Sequence, residues 1–133
     1  MSSFCRRHGR TIQGLTLLAL LTSCSDSLAP FQPEITNAAD NFQMQATGVK
    51  NVSTTRTYSW TNSGTRATVN HSTTATAGTA QLTIRDAAGM VVYDRSLVPS
   101  LNEATISGTA GTWSIQVRLT TYSGTLNFRA QKL

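Results

Sequence analysis

Few side chains in this sequence are of types that do chemistry, and Cys24 is set apart by what precedes it. It follows Leu21-Thr22-Ser23, at the end of an apolar stretch from Ile12 to Leu21. A thiolate is a soft nucleophile open to alkylation, and the two residues before it, Thr22 and Ser23, are small. After residue 23, His71 alone titrates near neutrality without perturbation. It stands between Asn70 and Ser72 at the end of an alternating run and reads as a strand-edge histidine bonded to solvent. Asp86 and Asp94 lie across an expected hairpin, either as ordinary exposed carboxylates or as weak calcium ligands, while Asp40 and Glu103 are isolated. One histidine with no free cysteine does not build a structural zinc site. No serine occupies a Gly-x-Ser-x-Gly elbow, and no convergent acid-base set is visible. The expectation is a protein with no catalytic residue, no metal and no cofactor, and so not an enzyme.

The aromatic residues offer the other chemistry. Tyr58, Trp60, Tyr93 and Tyr122 are candidates for stacking on sugar rings, with Asn, Gln and Arg nearby to bind hydroxyls. Trp113 shares its alternation with Ile115 and Val117 and reads as core. Tyr58 and Trp60 have no aliphatic row beside them. They stand open between core packing and a ligand-binding surface. Tyr122, next to Ser123-Gly124, reads as a loop residue.

These groups need elements to hold them, and composition limits the choice. The chain has 133 residues, 39% hydrophobic and 13% charged, with a formal charge of +5. That length fits one domain with an appendage. The charged share is half the roughly 25% usual in globular proteins, and 22 Thr and 14 Ser fill the gap. Hydroxylated and β-branched residues suit a pleated, half-exposed surface, which excludes a helical bundle or coiled coil. The basic balance is concentrated at the start. Arg6, Arg7 and Arg10 precede the apolar stretch, and small residues end it, the pattern of a secretory signal peptide over residues 1–23. The stretch is half the roughly 20 residues a spanning helix needs. Beyond it remain eight basic and six acidic side chains, a formal +2 over 110 residues with no cluster of Lys or Arg. A nucleic-acid partner, which requires such a footprint, is excluded.

Leu21-Thr22-Ser23-Cys24, directly after the apolar region, resembles the lipobox of bacterial lipoproteins. The resemblance covers residues 1–24. It implies that Cys24 takes a diacylglycerol thioether, that a dedicated signal peptidase recognises Leu21, Thr22 and Ser23 and cuts before Cys24, and that the new amino group is acylated, commonly with palmitate. Cys5 would leave with the leader, so the mature domain would carry no disulfide. Two or three acyl chains, at about 0.8 kcal/mol per buried methylene, anchor a protein without a spanning helix. Ser25 rather than Asp follows the cysteine. In enteric members of the family that pattern implies sorting to the outer membrane rather than retention at the inner one.

From residue 24 to 41 the chain carries Pro30 and Pro33, many polar residues and no sustained period. It reads as a lipidated cysteine followed by a flexible tether with a root-mean-square span of roughly 20–25 Å. From 42 to 133 the period is two: Phe42-Met44-Ala46, Tyr58-Trp60, Ala67-Val69-His71, Ala80-Leu82-Ile84, either Val91-Tyr93 or Met90-Val92, Trp113 to Leu119, and Leu126-Phe128-Ala130. Turns are marked at Asn62-Ser63-Gly64, at Asp86 to Gly89 as a type I turn, at Gly108 to Gly111 and at Ser123-Gly124. Seven or eight strands at about ten-residue spacing predict an all-β fold, a small antiparallel β-sandwich. Gly111-Thr112-Trp113-Ser114-Ile115-Gln116-Val117, then Ser123-Gly124-Thr125-Leu126-Asn127-Phe128, with Leu82 to Gly89 before them, resemble pre-peptidase C-terminal domains and similar jelly-roll modules over roughly residues 55–131. That resemblance implies a jelly-roll-like sandwich. Such modules often bind calcium through clustered Asp, but only six carboxylates follow residue 23 here. The functional expectation is a bacterial cell-envelope lipoprotein, held to the membrane through Cys24, whose sandwich binds a protein. A carbohydrate-binding module using Tyr58 and Trp60 is the alternative.

Overall fold

A computed structural model describes residues 31–133, an all-β body with no helix among those residues. Its strands are β1 (Glu34–Ala38), β2 (Asn41–Asn62), β3 (Ala67–His71), β4 (Thr74–Arg85), β5 (Val91–Ser96), β6 (Leu101–Ala104) and β7 (Gly111–Lys132). All pairings are antiparallel. β2 and β7 each run 22 residues, far beyond the usual five or six. Both bend in the middle, so each contributes to two layers. The first layer has the order β1, β2 (41–46), β7 (126–131), β3, β6. The second has β2 (54–62), β7 (111–119), β4, β5. This is jelly-roll connectivity with β1 added at one edge.

The alternation explains the layers. Phe42, Met44, Ala67, Val69, Leu126, Phe128 and Ala130 point in from the first layer, and Trp60, Ala80, Leu82, Ile84, Trp113, Ile115 and Val117 from the second. Contacts cross between them: the Phe42 and Tyr58 rings lie 5.5 Å apart. Trp60 and Trp113 are paired across β2 and β7 and meet edge to face at 5.9 Å and 89°, an arrangement favoured by the ring quadrupoles. Each indole N–H is bonded, Trp60 Nε1 donating to the Ala38 carbonyl at 3.0 Å and Trp113 Nε1 to that of Thr109 at 2.7 Å.

The bend is a corner at which three strands slip register together. β2 shifts between Ala46 and Thr54, and β4 between Ala75 and Thr79 against β7. Such irregularities increase twist and let a strand change sheets. Gly124 in β7 has φ +142 and Gly78 in β4 has φ +74; a Cβ on Gly124 would strike the Thr74 carbonyl, and one on Gly78 the Thr121 and Thr120 carbonyls. Serine side chains stitch the corner, Ser53 Oγ accepting from Thr121 N at 2.8 Å and Ser123 Oγ from Asn51 N at 2.9 Å.

Two expectations about boundaries and one about parity are corrected. The segment read as tether to residue 41 already contains β1, which pairs with β2 from Glu34↔Gln45 to Ala38↔Asn41, so the sandwich starts earlier than 42. β1 was illegible because, as an edge strand, only Ile35 on it turns even half inward. What read as separate strands on either side of residue 50 is one bent strand. In β5, Val92 and Tyr93 are both buried, because the register slips at Ile84/Arg85 after the expected Asp86–Gly89 turn, which Gly89 N closes onto the Asp86 carbonyl at 3.0 Å.

Candidate functional site

Leu21, Thr22, Ser23 and Cys24 lie outside the described residues. Of the aromatic pair, Trp60 is 1% exposed, and its ring is spent on Trp113 and its N–H on Ala38. It offers no face to a ligand. Tyr58 is half-buried and its ring lies against Phe42, so it is likewise turned into the body. The stacking-surface expectation for these two is corrected: β2 continues inward from Tyr58 to Trp60 because both pair with core residues of β7, Ile115 and Trp113. Tyr122 is fully buried at the corner, with its hydroxyl 2.6 Å from the Thr125 carbonyl and 3.1 Å from that of Thr74. Burial raises its pKa.

His71 is not at a wet edge either. It is 1% exposed, with Nδ1 3.0 Å from the Leu97 carbonyl and Nε2 3.3 Å from the Tyr93 hydroxyl. A carbonyl only accepts, so Nδ1 carries the proton, and Nε2 of the neutral ring faces the Tyr93 hydroxyl. Tyr93 is held far above its ordinary pKa by burial and then by the neighbouring Glu103 carboxylate. Glu103 in turn accepts from Arg95 Nε at 3.0 Å, and only these last two groups reach solvent, with side chains 33% and 53% exposed. The network ties β3, β5 and β6 across the layers. A general base must reach a substrate proton; here the acceptor nitrogen is occupied by a phenol and sealed inside. Burial, the largest influence, lowers the His71 pKa against the opposing pull of the Leu97 carbonyl and of Glu103.

That sign gives a test. A histidine with a lowered folded pKa is protonated first in the unfolded chain, so its contribution is complete above the ordinary value of about 6.5 and is lost as pH falls below it. Chemical denaturation from pH 8 to 5 is expected to show stability declining below about pH 6.5, and His71→Gln to remove that decline. A flat wild-type profile, or a decline that survives the substitution, would contradict the buried neutral ring. Asp40 and Asp86 act in a separate window. They are held below the usual carboxylate range chiefly by the backbone N–H groups of Ser63 and Thr109, so their contribution is lost only as pH falls through the ordinary Asp value of about 4 and below.

Asp86 is buried, not an exposed carboxylate. It accepts from Ala88 N (3.0 Å), Met90 N (2.8 Å) and Thr109 N (2.8 Å), pinning the loop before β7 onto the β4–β5 turn. Asp94 points away from it and accepts from Gln81 Nε2 at 2.7 Å and Thr83 Oγ1 at 3.1 Å, so the two do not form a pair. No group of three or more His, Cys, Asp or Glu gathers among the described residues.

What the register does gather is on the outside of the first layer. Thr36, Gln43, Arg129, Asn70 and Asn102 form one row across all five strands. Glu34, Gln45 and Asn127 form the next, and Asn41, Gln131 and Thr68 a third. At about 4.8 Å per strand the first row spans roughly 19 Å. Half of the fourteen Asn and Gln side chains of the sequence stand on this one face. Among the described residues the side chains of Gln43, Gln45, Asn70, Asn102, Arg129 and Gln131 make no hydrogen bond, and Asn41 Oδ1 is buried without a partner. The outer face of the second layer is different. Its row Thr57-Gln116-Thr83-Asp94 bonds to itself through Gln116 Nε2 to Thr57 Oγ1 at 3.4 Å and through the Asp94 contacts above. Nothing beside these amides in the sequence marks them as a group; the available signal was that they are amides where Lys and Glu are the common choice. Comparison with protein-family models, with curated proteins and with solved structures found no match.

Proposed function

We propose that this protein is a bacterial envelope lipoprotein, anchored by acyl chains on Cys24, that presents the jelly roll as a non-catalytic binding module. The observation that carries the reading is the order of features at the start of the sequence: Arg6, Arg7 and Arg10, an apolar run, then Leu-Thr-Ser-Cys, with no other cysteine in the remaining 109 residues. Two things support the binding role. The one histidine of the body is sealed behind Leu97 and Tyr93, and a broad polar face, most of its amides unbonded, lies open on the opposite side of the first layer. Nine residues, 25–33, separate Cys24 from β1, a length that reaches at most about 30 Å, so the module would stay close to the lipid surface. Outer-membrane placement follows from Ser25 after the cysteine in an organism with two membranes.

The test is chemical. Cells fed radiolabelled palmitate are expected to label the wild-type protein and to lose all label with Cys24→Ser. Mass spectrometry should find the processed chain beginning at Cys24 with the added mass of the lipid. An unmodified thiol or an intact Met1 on the mature protein would overturn the reading.

A further inference from the structure

We infer that the outer face of the first layer binds a neutral polyhydroxylated chain, a glycan lying across β1, β2, β7, β3 and β6 and held by amide and guanidinium groups in place of aromatic stacking. The inference deepens the binding-module reading and rests on it, but is independent of the lipid.

The argument starts from hydrogen-bond inventory. An amide offers two donors and an acceptor, and a hydroxyl is itself both donor and acceptor, so each Asn or Gln can bracket a pair of neighbouring hydroxyls. Arg129, at the centre of the longest row between Gln43 and Asn70, adds a planar fork of donors. Apart from Asn127, whose Nδ2 donates to Ser72 Oγ at 3.0 Å, these heads are unbonded within the protein, whereas the equivalent row on the other layer is satisfied internally. The unpartnered Asn41 Oδ1 lies on the same face. Sequence distance does not account for the clustering, since the row draws on residues 36, 43, 70, 102 and 129.

Charge and apolarity decide the occupant. The rows hold one carboxylate, Glu34, and one guanidinium, Arg129, so the face is neutral and has no attraction for a polyanion, whose binding depends on several phosphate-like contacts. No aromatic side chain and no aliphatic one larger than alanine stands in them. Protein interfaces concentrate affinity in buried aromatic and apolar anchors, and this face has none to supply. A neutral polymer that is all hydroxyl matches it. Each contact would be weak, and many anchored copies on one membrane would multiply them into useful avidity.

Side-chain amide signals make the test direct. The full chain, labelled with nitrogen-15, would be held in a zwitterionic detergent without a sugar headgroup and titrated with dextran, mixed-linkage β-glucan and galactomannan, and with alginate and heparin as anionic controls. The side-chain NH2 signals of Gln43, Asn70, Asn102 and Gln131 and the Arg129 Nε–H are expected to move with at least one neutral polymer. Gln43→Ala and Arg129→Ala should each weaken that binding about tenfold with backbone signals in place, and Arg118→Ala on the other layer should leave it unchanged. Signals unmoved by every neutral polymer would overturn the inference, as would movement with the anionic polymers alone or with protein concentration alone, the mark of a second copy. An unlipidated chain gives the same readout, so loss of the anchor reading and loss of this one are separable.

Discussion

Trp113→Ala should lower the thermal midpoint by about 15–25 °C. Trp113 is 0% exposed, sits in the middle of the second layer between Trp60 on β2 and the β4 row, and is locked by its N–H bond to the Thr109 carbonyl. Truncating a buried Trp costs about 3–5 kcal/mol through lost transfer energy and the cavity left behind. For a body near 100 residues, 1 kcal/mol moves the midpoint by about 5 °C. Total stability at that size is on the order of 5–15 kcal/mol, so one substitution takes about a fifth of it or more. The loss extends beyond apolar area, because Trp60 loses its edge-to-face partner and Thr109, which also donates to Asp86, loses a bond. Arg118→Ala, exposed on the same strand, is the control and should stay within about 0.5 kcal/mol. A Trp113→Ala midpoint within a few degrees of wild type would mean that the ring faces solvent.

How far the fold could be read in advance follows from the same residues. Trp113, Ile115, Val117 and Leu119 alternate without interruption, and period two over that length has one physical reading, a strand with one buried face. The Asp86–Gly89 turn was legible for an equally local reason, since Gly89 takes φ +87 at the position where a type I turn feeds a hairpin. Failures came where a residue's environment is supplied from far along the chain. His71 is satisfied by Leu97 and Tyr93, more than twenty positions away, and nothing beside it in sequence announces them. Tyr122 has the local look of a turn because Ser123-Gly124 follows it, whereas that Gly marks a bend inside a strand. Trp60 lacked an aliphatic row on its own strand and found its apolar neighbours on β7. The amide face is a harder case still. Gln43, Asn70, Asn102 and Arg129 each read as an unremarkable outward residue, and only strand register turns them into a row.

That register depends on the corner, which makes Gly124→Ala the second large effect. Residues 111–119 of β7 belong to the second layer and 126–131 to the first, so Gly124 is where the strand changes layers. Its φ of +142 is open to glycine and strained for any L side chain, and the added methyl would meet the Thr74 carbonyl of β4. Backbone strain alone costs about 1–3 kcal/mol. Because the obstacle is backbone of a paired strand, it has no rotamer with which to give way, and a total loss of at least about 3 kcal/mol is expected in a denaturant titration. The consequences should be unequal across the body. β3 and β6 hang on the 126–131 segment, so hydrogen exchange in Gly124→Ala should accelerate more there than along β4–β5, which are held by 111–119. Arg129, the centre of the amide row, would move with its strand. Weakened glycan binding in this variant would therefore accompany faster exchange in β3, while the buried Trp60–Trp113 pair keeps its fluorescence. Uniform acceleration throughout the body would show that the two layers unfold as one unit and that the corner does not set the position of the face.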